Sequence, residues 1–545
     1  MNWYHSLKGQ ITEASAVHPQ TSLGVALVHV NPAARSAKPS KFVVMPRSFR
    51  DAPGPVSHLL AALPVRAPRG GVKVGTRSLS LNVSAAAKRD DGVKLVEMTP
   101  ENAKELQAAE PGLLVVPEVF YQPAISLPIP LRRPTEAARP AVVAKKTSKK
   151  AAKKAAAPAA AIKSVVIRVQ DAAGNPLPDA AVIAFSDFVA RTGVDGTTDA
   201  DGKCRLSLIG FGTTIDRLLV YPNRDFWSVM LKRVRPAATI TIKPKPIDLS
   251  FTDCLRHHYG NGADADGQGV KVGVIDTGVA LDHPDLAVAG GQCTVAGEDS
   301  NSYGPLGGDH GSHVAGIIAA RGTAPTGIRG IAPGAELYSY RVFNPGEGAS
   351  NFAIAAAIDA AVAAGCELIN MSLGGGPRDL ATESAISNAR RHGCVCVVAA
   401  GNDYRSPVSQ PAAYNLNVAV SAAGRKKTFP RGTADAIDVQ RPYGKDKADF
   451  LAAFTNVGPE LDAIGPGVAV ISTVPGGYKT MSGTSMACPA VTGVAARLLS
   501  RPANQAVLNA PRDAARSDQI KKILFDACRS LGFAYDEEGQ GMPFP

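Results

Sequence analysis

No stretch of the sequence approaches the ~18–20 consecutive apolar residues of a membrane-spanning helix, so no such span is expected. Met1 to Gln10 lack the basic start and apolar run of a secretory leader. Ser22 to Val30 is apolar, but His29 interrupts it and it lies too far in. A cytoplasmic location is therefore the expectation. The eight cysteines follow no framework spacing, which argues against a disulfide scaffold. Cys394 and Cys396 share one face of an apolar run, and two ligands do not make a zinc site. Aromatics are only 6% of the chain, and none is interleaved with its clustered basic residues. That scarcity argues against binding of single-stranded nucleic acid, which needs stacking platforms.

What is present divides the 545 residues into about three domains with connecting segments. Residues 1–40 show no periodicity and read as an arm. In 41–127, Phe42 to Met45 and Val93 to Met98 read as strands. Thr99-Pro100 then gives an N-cap and a first-turn proline for a helix to about Glu110, followed by one apolar strand from Leu113 to Val116 that continues through Val119–Tyr121. This predicts a small α+β domain. Residues 128–163 are dominated by Pro, Ala, Lys and Arg. From Leu131 to Lys163 there are ten basic residues and one acidic, so most of the formal +12 belongs to a segment unable to build a core. A solvated linker open to proteolysis is expected, with nucleic-acid binding the less favoured reading. Residues 164–246 alternate in short strands with turns such as Asp199-Ala200-Asp201-Gly202, which predicts a β-sandwich.

From Ile247 to Pro545 strands alternate with helices, so a mostly parallel sheet with helices on both faces is expected. Strand Val270–Ile275 ends at Asp276, helix 351–364 follows Ser350 as N-cap, and strand Cys394–Ala399 leads to Gly401-Asn402. In such sheets functional residues collect beyond the carboxyl ends of the strands. Three motifs carry chemistry there: Ile275-Asp276-Thr277-Gly278, Asp309-His310-Gly311-Ser312-His313 and Gly483-Thr484-Ser485-Met486-Ala487. A serine hydroxyl is a weak nucleophile until a base takes its proton, and imidazole is the usual base near neutral pH. A carboxylate behind the ring fixes its tautomer. The small residues around Ser485 place it on a sharp bend at a helix start, where amide N–H groups favour negative charge.

With these motifs in the order Asp, His, Ser, residues 247–545 resemble the subtilisin-like (subtilase) serine peptidases. The resemblance implies a serine endopeptidase acting through an acyl-enzyme, with Asp276, His310 and Ser485 as triad and Asn402 as oxyanion donor. It implies a substrate-binding edge at Ser372, Leu373, Gly374 and Gly375, with Ala400 and Gly401 beside Asn402. The "FTNVGPELDAIGPG" run is a further family-like stretch. No cofactor is required. Structural calcium is open, because Asp285 matches one usual ligand while Arg321 to Thr326 lacks the expected asparagine. Residues 41–127 resemble the inhibitory propeptide of such enzymes, and 164–246 resemble the immunoglobulin-like modules seen beside many bacterial catalytic domains. Here the linker and the β domain separate propeptide from protease, which puts simple self-excision in doubt and turns attention to cleavage within the Lys/Ala tract. The expected partners are protein or peptide substrates and the chain's own N-terminal domain, in a monomer. Cys488 and the histidines His283 and His313 are expected to be packed, although Cys488 raises the question of thiol-reagent sensitivity. Asp403 beside Asn402 suggests a weak taste for basic residues in the primary pocket. Residues 425–449 read as a charged surface insertion. The alternatives are a catalytically silent binding protein using the β-sandwich and basic linker, and an esterase on the same scaffold.

Overall fold

The computed structural model describes residues 38–47, 60, 63, 72–74, 77–89, 92–124, 164–306 and 308–545. The expected arm, apart from residues 38–40, and the whole basic linker 128–163, with its anticipated cleavage sites, lie outside the described residues. Among the described residues no helix is long and apolar enough to cross a membrane. All eight cysteines are free.

Among the described residues the N-terminal unit contains a four-stranded antiparallel sheet and a helix packed on it. Strands β1 (Ser40–Pro46), β2 (Leu81–Ala86) and β3 (Lys94–Met98) are followed by α1 (Pro100–Ala109) and β4 (Leu113–Pro117), in the sheet order β2-β3-β1-β4. Thr99 caps α1, its hydroxyl accepting from Asn102 N at 3.2 Å, with Pro100 in the first turn. The alternation of β1 divides its side chains between two cores. Phe42 and Val44 face Leu106 and Leu113 of the unit itself, whereas Val43 and Met45 join Leu95 and Leu114 against the larger domain. The chain then continues as β5 (Phe120–Pro123), which leaves this sheet altogether.

Two sheets follow. Strands β6 (Ser164–Val169), β7 (Ala181–Asp187), β8 (Thr192–Thr197), β9 (Lys203–Ser207), β10 (Ile215–Tyr221), β11 (Val229–Val234) and β12 (Thr239–Ile242) form the orders β8-β7-β10-β11 and β9-β6-β12. Their inward residues, among them Val165, Ile167, Val182, Leu206, Leu218 and Val220, make one buried core. Phe185 and Leu219 face the other way, towards Ala434 of the 425–449 insertion.

The large domain is built on β13 (Lys271–Asp276), β14 (Val288–Cys293), α2 (His310–Ala319), β15 (Glu336–Arg341), β16 (Ala349–Ser350), α3 (Asn351–Ala363), β17 (Leu368–Met371), β18 (Leu373–Gly374), α4 (Leu380–Arg391), β19 (Val395–Ala399), β20 (Val418–Arg425), β21 (Asp449–Leu451) and β22 (Ala463–Pro466). The hairpin of β23 (Val470–Val474) and β24 (Gly477–Met481) and helix α5 (Thr484–Leu499) complete it. The sheet order is β14-β15-β13-β17-β19-β20-β21, with β22 alongside β20, and every pairing is parallel except β20 with β21. Both faces are covered, so these strands are continuous apolar runs rather than alternating ones. Val272, Val274 and Val397 face the α2 and α5 side, while Ile275, Cys396 and Val398 face α3 and α4.

The insertion is not the free surface loop expected from its charge. Ala434 is buried, its N–H donates to Ser228 Oγ at 3.0 Å, and Met230 N donates to Gly432 O at 2.7 Å. The insertion is the seat of the two-sheet unit: small and carboxylate side chains meet the apolar outer face of β7 and β10, which charge counting does not reveal.

Candidate active site

Helix α5 begins at Thr484, so Ser485 lies in its first turn and Pro489 lies inside the helix. Proline has no N–H to give the carbonyl four residues back. Ser485 O therefore accepts from Ser372 Oγ at 3.0 Å, while Ser485 Oγ donates to Ser372 O at 3.1 Å. This reciprocal pair ties the helix start to the end of β17. Ser372 Oγ is itself held by Asn370 Nδ2 at 3.0 Å.

Asp276 ends β13 and His310 opens α2. Both are buried, with His310 Nδ1 2.7 Å from Asp276 Oδ1. The same carboxylate oxygen accepts from Thr277 N at 2.7 Å, and Gly311 N donates to Thr277 Oγ1, so strand end and helix start are locked together. With Nδ1 committed to the carboxylate, Nε2 is the ring nitrogen left for proton transfer, and among the described residues it has no hydrogen-bond partner.

Asn402 follows the end of β19. Its Oδ1 accepts from Thr484 N at 2.9 Å and Thr484 Oγ1 at 3.0 Å, which turns Nδ2 away from α5. That Nδ2 lies 2.5 Å from Ala124 O, and Ser485 N reaches the same oxygen at 3.2 Å. Two donors thus converge on one peptide carbonyl at a helix N-terminus, where the dipole favours negative charge.

Ala124 is delivered by β5, which runs antiparallel between β16 and β18 as the middle strand of a three-stranded sheet. Pro123 pairs with Leu373, Gln122 with Gly374, Tyr121 with Ala349 and Phe120 with Ser350. Ala124 N donates to Ser372 O at 3.0 Å, which extends the ladder to the last residue before the site. The expected edge at Ser372, Leu373 and Gly374 is thus occupied by an extended segment of the same chain. Gly375 has φ +83 and turns the chain out of β18. Ala400 and Gly401 support the Asn402 loop through Ser409 N to Ala400 O and Asn456 N to Gly401 O.

The second edge, Ala349–Ser350, was not legible in the sequence, where Ser350 signals only a helix cap; it does cap α3, accepting from Ala353 N at 3.2 Å. Nor was Ala124 legible as the residue at the site, since nothing in Tyr121-Gln122-Pro123-Ala124 marks it chemically.

The neighbouring candidates are structural. His313 Nε2 faces Val470 O and Lys479 O, both at 3.1 Å, and burial with the nearby His310 pushes its pKa down to about 3. His283 Nε2 meets Gly477 O at 3.1 Å, while Nδ1 accepts from Asp285 N. Cys488 is fully buried, and burial pushes its thiol well above the ordinary range, so thiol reagents have no thiolate to attack. Asp403 is exposed, and its Oδ2 accepts from Asn456 Nδ2 at 3.1 Å. Asp285 is a poor fit for calcium: its Oδ2 accepts from Ile328 N at 2.8 Å and Tyr478 OH at 2.9 Å. Donors thus face one of its two oxygens, where a cation would need that oxygen bare. Among the described residues no cluster of three His, Cys, Asp or Glu forms a metal site.

A family model described as the subtilase family matches residues 267–542. The chain is 40% identical over 240 residues to subtilisin DY of Bacillus licheniformis, an alignment covering 43% of this chain and 78% of that protein. It is 38% identical over 267 residues to subtilisin Savinase of Lederbergia lenta, covering 49% and 86% respectively. A thermostable alkaline protease of Halalkalibacterium halodurans is 36% identical over 277 residues, covering 50% of this chain and 67% of that protein.

Proposed function

We propose, from the premise that this chain belongs to the subtilase family and is a subtilisin-like serine endopeptidase, that it is made as a precursor whose N-terminal unit fills its own substrate cleft until the bond after Ala124 is cut. The observation that carries the reading is the Ala124 carbonyl held between Asn402 Nδ2 and Ser485 N at the end of a strand paired on both edges. A segment placed that way is presented as a substrate, and it also excludes other substrates. In this reading the N-terminal unit is an inhibitory propeptide and the two-sheet unit an immunoglobulin-like module.

The reaction follows from the residues at that carbonyl. Ser485 Oγ turns from Ser372 O towards His310 Nε2, gives up its proton there and attacks the carbonyl carbon. Asp276 holds the ring in the tautomer that leaves Nε2 free and stabilises the imidazolium. The tetrahedral oxygen takes its negative charge into the two N–H donors. His310 then protonates the departing amine, and water resolves the acyl-enzyme by the same steps in reverse. Proteins and peptides are the substrates in trans.

The cut lies ahead of the basic linker, so 125–545 keep the linker and the two-sheet unit attached to the protease. That removes the difficulty posed by the long spacing between propeptide and catalytic domain: the junction that matters is at Ala124, not at residue 247. Cleavage inside the Lys/Ala tract would be a separate event.

Mass spectrometry of the purified protein tests this. The expected products are 1–124 and a chain beginning at Ile125, while Ser485→Ala remains a single full-length chain. An N-terminus elsewhere in the wild type, or processing of Ser485→Ala at the same bond, would overturn the proposal.

A further inference from the structure

The geometry points to a subsite that selects tyrosine, three residues before the residue whose carbonyl is attacked, with Asp379 as the residue that reads its hydroxyl. The inference rests on the reading of 120–124 as a substrate-like segment, and it names the substrate class of that site.

Tyr121 occupies the subsite and is completely buried. Its ring lies over Gly376, where an added Cβ would come within 2.5 Å of Cε1 and 2.6 Å of Cδ1. Glycine at 376 therefore keeps room for a flat aromatic ring that any side chain there would obstruct. At the far end the phenol is 2.9 Å from Asp379 Oδ2 and 3.2 Å from Pro377 O.

Asp379 is itself buried and its two oxygens are unequally supplied. Oδ1 accepts from Asn351 Nδ2 and Ala381 N, each at 2.9 Å. Thr382 N is shared between the two oxygens at 3.3 Å each, and among the described residues Oδ2 has no other donor besides the tyrosine hydroxyl. Asp379 also caps α4, and Tyr414 OH bridges its backbone N and O at 2.9 Å each, so the carboxylate is fixed before any ligand arrives. Burial and the charge on Asp379 both push the Tyr121 phenol far above its usual range, so it stays protonated and able to donate.

Phenylalanine fills the same volume but brings no donor. It would dry the carboxylate without replacing the lost hydrogen bond, and a site built around a substrate hydroxyl rejects the analogue lacking it. A purely apolar pocket would show the opposite preference, since the phenol would then be the buried group without a partner.

The test uses the purified full-length enzyme after processing and acetyl-Tyr-Gln-Pro-Ala-p-nitroanilide, with Phe and Leu versions of the first residue. We expect kcat/KM for the Tyr peptide to exceed that for the Phe peptide by on the order of tenfold to a hundredfold. In Asp379→Asn, which keeps an oxygen for capping but loses the charge, the ratio should fall towards unity. A merely structural role for Asp379 would lower both rates and leave the ratio alone, and that result would overturn the inference. Equal cleavage of the Tyr and Phe peptides by the wild type would also overturn it while leaving the endopeptidase reading intact. Cleavage of none of the three would overturn both.

Discussion

At the residue scale, the proposed chemistry depends on a few side chains whose orientation is set by neighbours rather than by themselves. Asn402 is the clearest case, because the amide that meets Ala124 O is aimed by Thr484, which holds its other end. Asn402→Ala should lower kcat by about 10²–10³, the cost measured for loss of this donor type in subtilisin, with KM little changed. Steady-state kinetics on a peptide substrate checks this. His313 makes a prediction about pH. Its folded pKa is about 3 against an ordinary 6.5, so between those values the unfolded chain binds a proton that the folded chain does not. Stability contributed by neutral His313 is therefore present above pH 6.5 and lost as the pH falls towards 3. Urea unfolding of the wild type and His313→Gln over this range should show the wild type losing stability relative to the variant as acid is added. A constant difference would refute the assignment. The motifs around Asp276, His310 and Ser485 were legible because their residue types state a chemistry. Asp379 and Tyr121 were not, because neither announces a partner more than 250 positions away in the chain.

At the element scale, short segments do work that their length conceals. The two-residue strands β16 and β18 would be invisible to any periodicity, yet together they pair both edges of β5. The register they impose places Ala124, and no neighbour, at Ser485. The turn that wraps Asp285 is another such element. Gly322 and Gly327 approach the carboxylate so closely that a Cβ on either would collide with it, and Tyr478 of β24 closes the far side. If hydrogen bonds fill this place, chelation with EDTA should leave the thermal midpoint unchanged. Tyr478→Phe should cost about 1–3 kcal/mol by leaving a buried carboxylate oxygen underpaired. A large EDTA-induced fall in the midpoint would show that calcium serves here after all. Helices α1 and α3 begin and end close to where the sequence placed them, since a cap is satisfied within one turn.

At the scale of the whole molecule, both accessory units are joined to the large domain through buried faces. The N-terminal sheet presents Val43, Met45, Leu95 and Leu114 to the α3–α4 side, surface that would be exposed if the unit stood alone. The two-sheet unit rests on the 425–449 insertion, where Asp435 accepts from Ser228 Oγ and from Ser482 Oγ, each at 3.1 Å, and so links that unit to the loop leading to Ser485. Phe185 packs edge-on to Phe188 at 5.1 Å in this interface. Phe185→Ala should destabilise the protein by about 3–5 kcal/mol. Trp227, buried between the units against Phe251, gives the fluorescence signal for a denaturation curve, and an unchanged midpoint would show that the interface contributes little. By itself the sequence determined the parallel sheet, the order of the chemical motifs and the capped helices, because apolar periodicity and local hydrogen bonding act over a few residues. Only the tertiary structure brings the Ala124 carbonyl to Ser485, Asp379 to the Tyr121 hydroxyl and the insertion against the two-sheet unit. Each of those depends on hydrogen bonds and apolar contacts between segments far apart in the chain, and such pairings leave no mark on the local pattern of residues.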